Sequence, residues 1–342
     1  MSCTQYAIEQ IQALVNIPSP TGFTKGATDY LLAELTKLGY EPVRTLKGSV
    51  MCRLCDGDHP MLLSAHVDTL GAMVRSVKGN GRIRYTHIGG WWDASVEGEN
   101  CLVHTRDGRT YSGTVQTTFA SQHVWPGTAS KERSEETQEI VLDEIVHSAA
   151  DVKALGIDTG CFISWDPRAV LTESGVLKSR HLDDKASRGV LLALAKAIRD
   201  GSVKPARRVD IMFTVYEEVG HGASPLTHCD YEEILAVDMG CVGNDLACDE
   251  TMVSICCKDS GGPYNYEMTS KLIELAQRDG LGYAADVYPS YGSDAGAAMR
   301  AGLEARHALI GPGVFASHGY ERTHKLGIEN TLKLVCAYVS AE

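Results

Sequence analysis

HLDDKASRGVLLALAKAIRDGSVKPARRVDIMFTVYEEVG, residues 181–220, holds a long helix pattern followed by an apolar strand. Val190, Leu191, Leu194 and Ile198 recur at helical spacing, and Gly201 supplies the stop. RRVDIMFTVY (207–216) then reads as a strand whose centre, IMFTV, is apolar. Downstream the alternation continues. EEILAVDMG (232–240) is a strand, PYNYEMTSKLIELAQRDG (263–280) a helix, RHALIG (306–311) a strand and the last dozen residues a helix. Upstream, SVMCRLC (49–55) and MLLSAHVD (61–68) are strands. They follow a helix over 4–17, with Ile8, Ile11, Leu14 and Val15 on one face, ended by Pro18 and Pro20. A second helix opens at Thr24, presents Tyr30, Leu31, Leu35 and Leu38, and stops at Gly39. Such alternation specifies an α/β layered core.

Between residues 73 and 168 the texture changes. Strand-like runs are punctuated by Asn80-Gly81 and Asp107-Gly108, both hairpin signals, and the segment closes near GCFISWDP at 160–167. This β-rich stretch reads as an insertion into one α/β domain, giving domains at 1–72, 73–168 and 169–342.

The 342 residues carry 44 acidic and 32 basic side chains, a formal charge of −12. That balance, with no cluster of Lys and Arg beyond Arg207-Arg208, argues against a nucleic-acid partner. No run approaches the ~20 apolar residues of a membrane span, and MSCTQYAIEQIQ lacks the pattern of a signal peptide. Eleven irregularly spaced cysteines fit reduced, small apolar residues of a cytoplasmic protein better than a disulfide framework.

Five short signals carry ionisable groups, four of them where a strand gives way to a loop, the place where α/β sheets build sites. In His66-Val67-Asp68, the i and i+2 side chains of a strand share a face, so Asp68 is placed to bond the far nitrogen of His66 and sharpen the near one as a ligand. Taken alone, a buried histidine satisfied by a nearby carboxylate explains the pattern better. Asp183-Asp184, ahead of the long helix, also suit a capped helix start. Glu217-Glu218 leave a buried strand, where paired carboxylates are costly unless something binds them. Asp238 ends another strand, and His318 sits in a loop with His324 as a competitor. Each is weak alone. Together they close an inventory: Asp183, Glu218 and Asp238 balance most of the charge of two divalent ions, His66 and His318 add nitrogen ligands, and Glu217 remains as a base. Imidazole with carboxylate suits zinc and admits cobalt or manganese.

The order HVD, LDDK, EEVG, strand-ending Asp and late His resembles the tetrahedral-aminopeptidase (TET) and glutamyl-aminopeptidase family of dinuclear metallopeptidases. The likeness extends to PSPTG (18–22), GIDTGCFISWDP (156–167) and SDAGAAMRAG (293–302). It implies a three-layer sandwich on a mixed central sheet, of zinc-exopeptidase type, with a barrel-like inserted dimerisation domain. It further implies two ions per subunit, His66 and Asp238 on one, Glu218 and His318 on the other, and Asp183 bridging. Glu217 would be the general base and Asp68 the residue orienting His66. A cis Asp183–Asp184 peptide, peptide substrates and dimers assembling into a dodecamer belong to the same expectation. The expected activity is removal of N-terminal residues from peptides. A deacylase or carboxypeptidase acting on small amides through the same centre is the competing reading.

Overall fold

The computed structural model describes residues 2–341, which divide into two compact units: the residues up to Asp68 with those from Arg168 onward, and Thr69–Pro167. The first unit begins with helices α1 (Cys3–Val15) and α2 (Lys25–Lys37) and strands β1 (Val43–Arg44), β2 (Val50–Cys55) and β3 (Met61–His66). The second holds β4 (Gly71–Val77), β5 (Ile83–Ile88), β6 (Asn100–His104), β7 (Thr110–Thr117), β8 (Gln138–Leu142), α3 (Ala149–Ala154) and β9 (Phe162–Trp165). The first then resumes with β10 (Val170–Leu171), β11 (Val176–Ser179), α4 (Leu182–Arg199), β12 (Val209–Thr214), β13 (Glu233–Val237), β14 (Gly240–Cys241), β15 (Val253–Asp259) and β16 (Gly262–Pro263). It ends with α5 (Tyr266–Arg278), β17 (Tyr283–Val287), α6 (Asp294–Ala301), β18 (Arg306–Val314), β19 (Glu321–His324) and α7 (Lys325–Ser340).

The central sheet runs β1-β2-β12-β3-β13-β18-β15-β16, with β14 beside β18 and β17 beside β15. It is mixed: β12, β3, β13 and β18 are parallel, whereas β2 and β15 join antiparallel. Strand parity makes three layers. Leu63, Ile211, Phe213 and Leu235 face the core shared with α1, α2, α4, α5 and α7. Leu62, Met212, Ile234 and Ala236 face the opposite core with α6. The inner strands β3, β12 and β13 are buried along their whole length, which is why they read as apolar runs without alternation.

Helix α4 is buried more completely than its amphipathic pattern suggests, because α1 covers its outer side. Gly189 is the point of closest approach: a methyl group there would lie 2.5 Å from Ile11 Cγ1 and 2.6 Å from the Ala7 carbonyl oxygen. Alanine for glycine inside a helix ordinarily stabilises by about 1 kcal/mol. Here the sign reverses. Gly189→Ala is expected to destabilise by about 1–3 kcal/mol, read as a lowered thermal midpoint.

The second unit is a closed six-strand antiparallel barrel, β4-β5-β8-β7-β6-β9. Its β4–β5 and β6–β7 hairpins turn at Asn80-Gly81 and Asp107-Gly108, with both glycines at positive φ. Tyr85, Trp91 and Trp165 fill the interior, the two indoles meeting edge to face at 5.3 Å, while Trp92 stays exposed. Among the described residues no cysteine is paired and no helix is long and apolar enough to cross a membrane.

Candidate metal centre

The three adjacent parallel strands β12, β3 and β13 run out at the same edge of the sheet, and each releases a candidate residue at or just beyond its carboxyl end. His66 closes β3, Glu217 and Glu218 follow β12, and Asp238 follows β13. A small separate sheet supplies the rest. Pairing of β11 with β19 sets Ser179 opposite Glu321, which brings the start of α4 against the loop carrying His318. Asp183 and Asp184 do not cap α4. Their backbone angles are non-helical, and the peptide between them is cis.

The imidazole Nε2 of His66 lies 3.0 Å from Asp183 Oδ1, 3.9 Å from Glu217 Oε2 and 4.0 Å from Asp238 Oδ2. Potential ligand atoms of His66, Asp183 and Asp238 all fall within 4.8 Å of one another, and all three residues are buried, a candidate metal site. On the other side, His318 Nε2 lies 3.3 Å from Asp183 Oδ2 and 3.9 Å from Glu218 Oε2. Asp183 thus presents one oxygen to each imidazole. His324 stands apart: its ring caps α7 by accepting from the Leu326 N–H at 3.1 Å.

Asp68 meets His66 through a different atom than strand spacing suggests. His66 Nδ1 donates to the Asp68 main-chain carbonyl at 3.0 Å, which leaves Nε2 facing the carboxylates. The Asp68 carboxylate is 3.8 Å from Nδ1, since β3 ends at His66 and the same-face rule ends with it. That carboxylate instead accepts from Thr21 Oγ1 at 2.6 Å and from the backbone N–H groups of Glu217 at 3.2 Å and Glu218 at 3.3 Å.

Further supports were not apparent in the sequence. Glu321, buried, accepts from the backbone N–H of His318 at 2.9 Å and of Asp183 at 3.0 Å, tying two arms of the site together. Asp294 accepts from Thr214 Oγ1 at 2.5 Å, and a methyl group at Gly222 would lie 2.0 Å from Asp294 Oδ1 and 3.2 Å from Glu217 Cα. Only glycine fits that turn. An acid three residues after His318 and a glycine four after Glu218 were the available signals.

Burial raises Glu218 to about 8 and Asp238 to about 7, and the charge of Asp183 adds to both. Burial also pushes Glu217 well up, opposed by His66 and reinforced by Asp238 and Asp294. Asp183 moves the other way. Burial disfavours its charge, yet hydrogen bonds from His318 and His66 hold it well below the usual carboxylate range. His66 rises despite burial, held protonated by Asp183 and the charges of Glu217 and Asp238. Carboxylates so crowded are costly without cations. Glu218 Oε1, buried and without a hydrogen-bond partner among the described residues, is the kind of atom a metal ion satisfies. The donor set fits divalent ions of the zinc type. Asp183, Glu217, Glu218, Asp238 and His318 line a cavity of about 240 Å³ with Tyr291 and Arg300.

A family model described as M42 glutamyl aminopeptidase matches residues 48–334. A protein of Bacillus subtilis (strain 168) designated YhfE is 43% identical over 343 residues, covering 100% of this chain and 99% of its own. Among solved structures, a TET aminopeptidase from a marine-sediment Thaumarchaeota archaeon superposes with a TM-score of 0.88 at 21% identity, covering 98% of this chain and 96% of that one. The TET1 peptidase of Pyrococcus horikoshii, which can assemble into a tetrahedron or a large octahedral shell, gives 0.86 at 20% identity, with 98% and 100% covered.

Proposed function

Since the chain belongs to the M42 glutamyl aminopeptidase family and is a metallo-aminopeptidase, hence a hydrolase, we propose that it removes N-terminal residues from peptides at a dinuclear centre. His66 and Asp238 would hold one ion of that centre, His318 and Glu218 the other, with Asp183 available to both. The observation that carries this reading is the position of Asp183, whose two oxygens face different imidazoles at 3.0 and 3.3 Å. Divalent ions held there, zinc by preference, would acidify a water toward a pKa of about 7 and polarise the scissile carbonyl. Glu217 is the residue that would accept a proton from the attacking water and pass it to the departing amine. Asp68 holds the Glu217 and Glu218 amides in place while it orients His66. The acidic lining of the cavity favours the α-ammonium group of a peptide, which gives selectivity for chain ends.

A substrate panel tests this directly. Free-amine aminoacyl-anilides and short peptides are expected to be hydrolysed at least ~10²-fold better than their N-acetylated counterparts, the scale of losing a charged contact. Equal rates, or a preference for the acylated set, would favour the deacylase reading instead.

For assembly, TET homologues form dodecamers. We assign the barrel unit as the subunit-pairing domain, supported by its exposed Trp92, Val124, Trp125 and Ile145. Sedimentation at micromolar concentration should then show an oligomer built from dimers, and a stable monomer would contradict it. Eleven unpaired cysteines favour a reducing, cytoplasmic setting.

A further inference from the structure

The neighbours of β3 do not end together. On one side β12 accompanies it to the Thr214–His66 pair, whereas on the other β13 stops pairing at Ala236–Ser64. On the β12 side the Thr214 carbonyl receives the N–H of Val67. In a parallel ladder the N–H and C=O of a single residue point toward the same neighbour. The main-chain groups of His66 therefore face the edge that β13 has left. His66 is buried, so these groups need partners other than water.

Both are met from α4. The His66 N–H donates to Asp184 Oδ2 at 3.2 Å, and Arg188 Nε donates to the His66 carbonyl oxygen. Asp184 lies just ahead of the regular turns of α4 and Arg188 within them, and both are 0% exposed. One offers an acceptor and the other a donor, as the C=O and N–H of a neighbouring strand would. The two terminal nitrogens of Arg188 have no hydrogen-bond partner among the described residues. A buried arginine so sparsely paired is an unusual choice for packing alone.

We propose that Asp184 and Arg188 are positioning residues, a side-chain clamp that stands in for the missing strand beside His66 and sets the direction of its imidazole in the metal centre. Lysine at 188 would keep the charge but lose the planar Nε–H that reaches the carbonyl.

The proposal rests on His66 being a metal ligand, and the test separates the two. Zinc affinity is measured by chelator competition on the full-length, metal-stripped protein, and cobalt-loaded samples are compared by visible absorption. Arg188→Met is expected to weaken the ion on His66 by ~10–100-fold, the usual effect of losing support behind a ligand, with a changed cobalt spectrum and little effect on the second ion. Arg188→Lys, which retains the buried charge and serves if the methionine variant does not fold, is expected to show a smaller loss of the same ion. A folded variant of either kind that binds both ions within twofold of the native protein, with an unchanged spectrum, overturns the clamp. A His66→Ala protein that keeps its full metal complement would overturn the ligand assignment beneath it.

Discussion

Glu217→Gln is expected to lower kcat by ~10²–10⁴-fold while the purified protein keeps its full metal content. The geometry makes this a clean substitution. The Glu217 backbone N–H is held by Asp68 Oδ1 at 3.2 Å, and its side chain reaches the cavity with Oε2 3.9 Å from His66 Nε2. Glutamine has the same shape and can occupy the same space, but it cannot accept the proton of a water at neutral pH. Rates on an aminoacyl-anilide, set beside metal content by elemental analysis, measure both halves of the expectation. Activity within about threefold of the native protein would remove Glu217 from the role of base. Loss of metal with loss of rate would make it a ligand instead.

Asp183→Asn should act on a different quantity. Its carboxylate lies between the two imidazoles, and it is the site acid that its neighbours hold ionised against burial. Asparagine keeps one oxygen and loses the charge. Removing a charge from a buried, mutually compensated set costs about 3–5 kcal/mol, or ~10²–10⁴-fold in metal affinity. Because the residue faces both half-sites, both ions should weaken together, and activity should fall below that of Glu217→Gln at equal metal concentration. If one ion stayed bound at native affinity, Asp183 would belong to a single half-site. Thermal midpoints of the metal-stripped proteins separate this effect from misfolding.

The sheet and its site were legible for a shared reason. Strands buried on both faces show as apolar runs, and an ionisable residue at the end of such a run has few roles, so His66, Glu217, Glu218 and Asp238 stood out. His318 was harder, since it lies within a loop beyond the end of β18 and not at a strand end; β11–β19 pairing places it, and those strands are only four residues each. The supporting shell was not legible. Glu321 and Asp184 accept from the main-chain N–H groups of Asp183 and His66, and the Thr21 hydroxyl donates to the Asp68 carboxylate; these partners are distant in sequence, and no spacing encodes that. Asp68 shows the limit of a local rule. Its i, i+2 relation to His66 held for the residue but not for the atom, because the strand stopped between them. Helix α6 also carried little signal, as its eight residues pack mainly through alanines.

Anomalous diffraction from crystals of the zinc-loaded protein addresses the shared aspartate most directly. Two peaks per subunit are expected, ~3.5–4 Å apart, one against His66 and Asp238, the other against His318 and Glu218, with an Asp183 oxygen on each. A single peak at full zinc occupancy, or a pair in which Asp183 touches only one, would contradict the dinuclear centre proposed for this enzyme.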